Sequence, residues 1–420
     1  MRVAHLLRKY NPAEWGGTET AIHQLTGGLR RHGVDSIAYC PTLASPALTD
    51  PLAEGGCTVK RFRACVPIWG ISQERKNQLL AVGGNLMSFN LIRLLAFEPG
   101  LGLIHSHALG RVGAIGRTIA RRRGLPFVVS VHGGLYDLPP DLRRSFTAPA
   151  AGGWEWGKPF GMILRSRQLL SDADAIVTCN RREADLIRER HPDRYVYVQP
   201  HGVPAARFQV AHRAAALAAF PALAHRPFLL AVGRIDSVKN PGWVVAQMPA
   251  LLQRHPGTVL VLAGACTDEA YGAGLSAQIR TLGLENQVLL TGKIPPGGPV
   301  LIGLLQQAQA VLLPSVSETF GIVILEAWAA GTPVLASRTT GATALVESGE
   351  NGALFSLDRP VEFHDGLDAV LSSPPTRDRW IAAGRRRVLE EFDCDALSGK
   401  MKWLYEHAQE ANHAHRRNTR

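Results

Sequence analysis

No cysteine in this chain has a ready partner. The six, Cys40, Cys57, Cys65, Cys179, Cys266 and Cys394, form no CxxC pair and no Cys/His cluster of zinc spacing. They read as scattered reduced thiols, the pattern of a cytosolic protein. The dinucleotide fingerprint GxGxxG is missing from the turn after the first strand, which argues against a nicotinamide enzyme. No run suits a membrane span: the most apolar long stretch, 320–336, carries Glu326 and breaks at Gly331-Thr332-Pro333. The start, 1–9, is too short and too charged on its far side for a signal peptide. Aromatic residues are 7% of the chain and are not interleaved with the basic runs, as a nucleic-acid stacking platform requires.

What is present is 420 residues, 46% apolar and 19% charged, a globular composition. At roughly 100–200 residues per domain, two or three domains are expected. The net charge of +11 is uneven. Residues 1–200 hold 26 Lys+Arg and 16 Asp+Glu, a net +10, whereas residues 201–400 hold 16 and 17, a net −1. The first half therefore has an anionic partner as one reading: a phosphorylated substrate, an anionic membrane surface or nucleic acid. An Arg-rich proteome gives the same excess with no partner at all.

Short β-branched runs alternate with helix-length segments. In the first half the runs fall at 2–7, 35–39, 59–62, 102–105, 127–131, 175–178 and 195–198, with amphipathic stretches at 18–31, 73–97 and 181–190. In the second half they fall at 227–233, 258–263, 287–291, 310–313, 333–336 and 353–355, with helices expected at 241–255, 268–282, 300–307, 320–330 and 343–348. This alternation means parallel sheets covered by helices on both faces. The pattern restarts after Pro200-His201-Gly202-Val203-Pro204 and an Ala-rich stretch, so a domain boundary is expected near 200–225. Two doubly wound domains then face each other across a cleft, with ligands at the carboxyl ends of the strands. The tail beyond 377 reads helical, with fraying expected over 412–420.

Four features carry chemistry. The first runs from Pro314 to Ala327: a strand ends in a Ser/Thr-rich turn, a helix opens near Phe320, and Glu318 and Glu326 stand eight apart. Eight helical residues rise about 12 Å and turn about 80° beyond two full turns, so the carboxylates are expected on broadly one side, suited to an elongated polyhydroxylated ligand. The helix start between them can hold phosphate. The alternative is a dipole partner at Glu318 and a solvated Glu326. The second is Gly233-Arg234-Ile235-Asp236-Ser237-Val238-Lys239-Asn240, with two cations where a diphosphate would lie and Asp236 able to pair with one of them. The third is Trp15-Gly16-Gly17-Thr18-Glu19, where Gly16 and Gly17 let backbone N–H approach an anion and Thr18 caps the next helix. The fourth is Ser130-Val131-His132-Gly133-Gly134, whose His132 points at the cleft if the strand ends there; a structural histidine is the alternative.

Two further patterns compete. Asp172-Ala173-Asp174 has the spacing of a metal-binding Asp-x-Asp but precedes a strand, at the wrong end for the cleft. His105 and His107 close a strand and could face the acceptor, but the two are read as pointing opposite ways.

Together the four features resemble retaining glycosyltransferase family 4, the group 1 glycosyltransferases, over nearly the whole chain and in the right order. The most specific piece is Glu318-x7-Glu326 followed by Ala327 and Gly331-Thr332-Pro333-Val334. The resemblance implies the α/β GT-B fold, two Rossmann-like doubly wound domains across a cleft. Residues 1–205 would bind the acceptor and 206–395 the nucleotide sugar, with a last helix at about 398–410 packing back on the first domain. It also implies roles. Glu326 holds the ribose hydroxyls of the donor. Glu318 contacts the transferred sugar, and the backbone at Phe320 and Gly321 meets sugar or phosphate. Arg234 and Lys239 neutralise the diphosphate, Gly16 and Gly17 approach it, and His132 lies beside the reacting carbon. Glu19 supports its helix.

No metal and no other cofactor is implied, and the donor is a UDP- or GDP-sugar. The acceptor is a glycan or lipid-linked molecule of cell-surface polysaccharide or glycolipid synthesis. The protein is then expected in the cytoplasm, with an anionic membrane surface as a partner of the basic half through Arg121-Arg122-Arg123, Arg143-Arg144 and the basic amphipathic piece 158–167. Nucleic acid is not an expected partner. The competing readings are a sugar-nucleotide epimerase of the same fold, for which the chain offers few extra acid/base residues, and a nucleotide- or nucleic-acid-binding protein.

Overall fold

The computed structural model describes residues 1–12, 16–43, 50–81, 84, 86–136 and 148–418, with side chains excepted at 81 and 413–418. The chain divides into two compact units, Met1–Pro200 with Asp395–Arg420, and His201–Cys394.

The first unit is built on seven parallel strands: β1 Arg2–Leu6, β2 Asp35–Pro41, β3 Thr58–Phe62, β4 Leu101–Ser106, β5 Phe127–Val131, β6 Ala175–Thr178 and β7 Val196–Val198. Their order is β3-β2-β1-β4-β5-β6-β7. The strands are near-continuous apolar runs because helices cover both faces. On one face Leu6, Ile104, Val129 and Ile176 pack with Val112, Ile115 and Ile119 of the helix Gly110–Arg123. On the other, Val3, Leu103, Val128 and Val177 meet Met401, Leu404 and Tyr405 of the last helix, Cys394–Asn418. That helix is held by Gln409 Nε2 donating to the Gly102 carbonyl at 3.1 Å and by Gln199 Nε2 donating to the Leu397 carbonyl at 2.7 Å.

The second unit has six parallel strands: β8 Phe228–Val232, β9 Val259–Ala263, β10 Val288–Gly292, β11 Ala310–Leu313, β12 Val334–Ser337 and β13 Ala353–Phe355. They run in the order β10-β9-β8-β11-β12-β13. Leu229, Leu260, Leu312 and Phe355 fill one face against Val244 and Met248 of the helix Pro241–Arg254. Trp328, on the helix Ile322–Ala330, is fully buried and donates Nε1–H to the Asn351 carbonyl at 3.0 Å.

Several expected elements differ. The stretch 73–97 is two helices, Gln73–Ala81 and Phe89–Phe97; the second starts where Ser88 Oγ accepts the Leu91 N–H at 3.0 Å. The helix expected at 343–348 is Thr340–Leu345, capped by Thr339. The piece 158–167 is α-helical only over Lys158–Ile163, because Arg165 takes a left-handed conformation with φ 51° and leads into a short 3-10 turn, Ser166–Gln168. A two-residue antiparallel ribbon, Ile68–Trp69 with Trp154–Glu155, has no counterpart among the expected strands.

Candidate functional site

In both sheets the strand order reverses beside the first strand, β1/β4 in one and β8/β11 in the other. Open α/β sheets bind ligands at the carboxyl ends of such strands. In the second unit a recess opens there, lined by Val232, Gly233, Arg234, Lys239, Leu313 and Ser315 among others. Two loops form its rim, 233–240 after β8 and 314–321 after β11, and Val316 N–H donates to the Val238 carbonyl at 2.8 Å.

Asp236 organises the first loop. Its Oδ1 accepts the Lys239 N–H at 2.8 Å and its Oδ2 pairs with Arg234 Nη2 at 3.0 Å. Asn240, with φ 53°, then turns the chain into the helix Pro241–Arg254. Close packing beneath requires glycine: a Cβ on Gly264 would sit 1.9 Å from the Gly233 carbonyl oxygen. Lys239 reaches across the recess and its Nζ forms an ion pair with Glu318 Oε2. The structure therefore brings Arg234, Lys239 and Glu318 together.

Glu318 is not on a helix. Gly321, with φ 90°, is the cap, and the helix begins at Ile322. The rise and turn expected between Glu318 and Glu326 do not apply, and the two carboxylates do not share a helical face. Glu318 is fixed through its backbone, its carbonyl accepting the Gly341 N–H at 2.7 Å. Gly341 in turn lies against Phe320, where a Cβ would come within 2.5 Å of the Phe320 nitrogen. The Phe320 ring packs edge-on against His201 at 4.9 Å, and burial pushes the His201 imidazole down to about 4, so it stays neutral. No side chain caps the helix after Gly321; Ile324 N–H donates to the Gly321 carbonyl at 2.9 Å, and the N–H groups ahead of it are placed to meet an anion.

Glu326 is 6% exposed, which removes the solvated alternative. It has no hydrogen bond or ion pair among the described residues, and burial raises its carboxyl from 4.5 to about 7. A buried carboxylate without donors is costly unless a ligand supplies them.

In the first unit Gly16 caps the helix Gly17–Arg31 in extended backbone, with no side-chain cap. Thr18 lies inside the first turn rather than at the cap. Glu19, also in that turn, is buried. Trp15 and the pair Arg143-Arg144 lie outside the described residues.

His132 follows β5, and its Nε2 lies 3.0 Å from His107 Nδ1; His107 Nε2 lies 3.1 Å from His5 Nδ1. His105 bonds Ser130 Oγ at 2.7 Å and the Tyr405 hydroxyl at 2.6 Å. This corrects the expectation for His105 and His107: residues two apart on a strand share a face, and their rings lie 4.1 Å apart. His5 and His105 are cross-strand partners. Burial lowers the pKa of His5 to about 3 and that of His105 well below 6.5. His5, His105 and His107 offer ligand atoms within 4.8 Å of one another, a set that a metal could use. His105, however, already has both nitrogens engaged. Of the Asp-x-Asp pair, Asp172 sits between Arg117 at 2.5 Å and Arg121 at 2.8 Å, and Asp174 accepts the Phe127 N–H at 2.7 Å.

Gly264, His5 and Tyr405 were not among the expected site residues, whereas Asp236 pairs with Arg234 as one reading of its loop had it. The period-2 rule links positions 103, 105 and 107 on one face; the contacts of Gly264 and Tyr405 have no local signal.

Tandem sheets of this order, with cations, a carboxylate and an uncapped helix start at the second reversal, are features of a GT-B glycosyltransferase. The "Glycosyl transferases group 1" model matches residues 218–387 and the "Glycosyl transferase 4-like domain" model residues 16–201. D-inositol 3-phosphate glycosyltransferase of Saccharomonospora viridis is 32% identical over 434 aligned positions, 98% of this chain and 95% of that protein. Glycogen synthase of Mycobacterium tuberculosis is 26% identical, covering 96% and 94%. Among solved structures, Anabaena Alr3699/HepE in complex with UDP and glucose superposes with a TM-score of 0.73 at 19% identity, covering 97% and 100%. Sucrose-phosphate synthase from Thermosynechococcus elongatus gives 0.72 at 21%, covering 98% and 99%. The chain belongs to the group 1 glycosyltransferases and has their GT-B fold.

Proposed function

We propose that the protein is a retaining hexosyltransferase that moves a sugar from a nucleoside-diphosphate donor to a glycan or lipid-linked acceptor in cell-surface polysaccharide or glycolipid synthesis. The observation that carries the donor reading is the rim of the recess, where Arg234, Lys239 and Glu318 meet at the strand-order reversal. The Anabaena structure, in complex with UDP and glucose, supports a UDP-sugar over a GDP-sugar.

In this reading Lys239 exchanges Glu318 for the donor diphosphate. Glu318, so released, accepts hydroxyls of the transferred sugar. Glu326, buried and without donors, takes the ribose hydroxyls. The N–H groups after Phe320 and Gly321 meet sugar or phosphate, and Gly16 and Gly17 approach the diphosphate from the first domain. His132 stands beside the reacting carbon.

The bond from the anomeric carbon to phosphate oxygen breaks and its electron pair stays on the diphosphate. Arg234, Lys239 and the helix N–H groups stabilise that charge as it develops. The acceptor oxygen bonds to the same face of the anomeric carbon, and its proton passes to a departing phosphate oxygen. These cations supply the positive charge, so the reaction is proposed to need no bound metal. The first domain, 1–205 with the last helix, takes the acceptor, and 206–395 takes the donor. The net charge supports an anionic acceptor: Met1–Pro200 with Asp395–Arg420 hold 31 Lys+Arg against 19 Asp+Glu, a net +12, and His201–Cys394 hold 15 against 16, a net −1.

Calorimetry with UDP, GDP, ADP and NAD, followed by acceptor-free hydrolysis of a panel of nucleotide sugars, tests this. UDP binding and slow hydrolysis of a UDP-hexose are expected; NAD binding without any nucleoside-diphosphate response would overturn it.

A further inference from the structure

The first unit carries an exposed aromatic surface that no step above uses. In the short ribbon Trp69 and Trp154 are paired, stacked at 5.1 Å, and 62% and 64% exposed. Trp156 lies 6.3 Å from Trp69 and 6.2 Å from Phe160, and Phe160 lies 5.7 Å from Phe89. Phe89, Arg93 and Phe97 are four apart on the helix Phe89–Phe97 and are all exposed. Beside Phe160, at the end of the helix Lys158–Ile163, Met162 is 73% and Ile163 77% exposed. Isolated apolar side chains on a surface need no explanation, but a connected set of this size marks an interaction site.

The unpaired charges around it are mainly positive. Lys158, Arg167 and Arg93 are exposed, with no acidic partner among the described residues. The one carboxylate in the ribbon, Glu155, is neutralised by the buried Arg111, and Asp172 is shared by Arg117, Arg121 and Arg165. Glu74, on the helix Gln73–Ala81, is the exposed acid of the neighbouring element. Tryptophan favours the water–lipid boundary, and unpaired Lys and Arg favour anionic headgroups. No helix among the described residues is long and apolar enough to cross a membrane, so contact of this kind would be peripheral.

We propose that this surface docks the protein on an anionic lipid bilayer. Trp69, Trp154, Met162 and Ile163 enter the interface, and Lys158, Arg167 and Arg93 meet lipid phosphates. The purpose of docking rests on the lipid-linked acceptor reading, but the test reads binding alone, so either can fail without the other.

The full chain is sedimented with phosphatidylcholine vesicles, with and without phosphatidylglycerol, at low and high salt. Binding is expected only with phosphatidylglycerol, reduced by salt, with a blue shift of tryptophan fluorescence. The double variant Trp69→Ser/Trp154→Ser loses the shift and most of the binding. Lys158→Gln/Arg167→Gln weakens partition about thirtyfold, from about 1 kcal/mol per cation near the surface. Both variants keep the wild-type far-UV circular dichroism and thermal unfolding of the full chain, which controls for folding of the first unit. Binding indifferent to phosphatidylglycerol, or unchanged in both variants, overturns the proposal. So does a surface that instead drives self-association or poly(U) binding, lost in the tryptophan variant, without vesicle binding.

Discussion

A nucleotide sugar is expected to bind more tightly as the pH rises through 7, and Glu326 is the reason. Its carboxyl is buried without donors and held near 7 rather than 4.5. The ionised form accepts the two ribose hydroxyls on two charged oxygens, whereas protonation turns one of those acceptors into a donor. If binding selects that form, the apparent Kd exceeds its limiting value by about elevenfold at pH 6, about twofold at pH 7 and about 1.1-fold at pH 8. Affinity thus improves about tenfold between pH 6 and 8, and binding at pH 6 releases about 0.9 proton. The assay is calorimetry in buffers of different ionisation enthalpy. The ligand is an intact nucleotide sugar, because the terminal phosphate of a free diphosphate titrates in the same range, near pH 6. His201, held near 4, stays neutral across the window and contributes nothing. The stability of the free protein is expected to show the opposite slope. A raised folded-state pKa means the native state keeps a proton that the unfolded chain has lost, so stability falls by up to about 3 kcal/mol between pH 4.5 and 7. Glu326→Gln removes both slopes and weakens binding. A flat affinity from pH 6 to 8, or proton uptake on binding, would refute the assignment.

Arg234→Ala and Lys239→Ala are each expected to lower turnover by about 10²–10³ with a far smaller change in donor affinity, measured by steady-state kinetics; wild-type rates would remove both from the site. Gly264→Ala places a Cβ 1.9 Å from the Gly233 carbonyl oxygen and should cost about 1–3 kcal/mol in denaturant unfolding while displacing the Arg234 loop. His107→Phe cuts the link from His5 to His132 and should reduce turnover by about 10–100-fold while leaving UDP affinity by calorimetry unchanged; loss of UDP affinity would show that the histidines do not act in the first unit alone.

The sheets were legible because parallel strands buried on both faces are short apolar runs between helix-length segments, and nearly every such run is a strand. Less legible were features that depend on single backbone conformations. Gly321 at φ 90° delays the helix from 320 to 322, so the path from Glu318 to Glu326 is only half helical and the eight-residue helical spacing fails; a glycine directly before an apolar helix is the signal that could have revealed this. The Lys239–Glu318 pair spans 79 residues and exists only because β8 and β11 are neighbours, an outcome of strand order rather than local sequence. The burial of Glu326 was hidden because nothing in its own segment distinguishes an inward carboxylate from a solvated one. The Trp69–Trp154 ribbon was missed because two-residue strands have no periodicity to detect.

The last helix begins at the point where the chain re-enters the first unit, so the second unit is an insertion within the first. Tyr405 meets His105 across 300 residues of sequence. A ribosome adding about 5–20 residues per second needs roughly 10–40 s to travel from the end of β7 to Asp395. Throughout that interval Val3, Leu103, Val128 and Val177 lack the apolar cover that Met401, Leu404 and Tyr405 bring. The inserted unit is contiguous and waits for nothing downstream. The unit synthesised second is thus complete in sequence before the unit begun first.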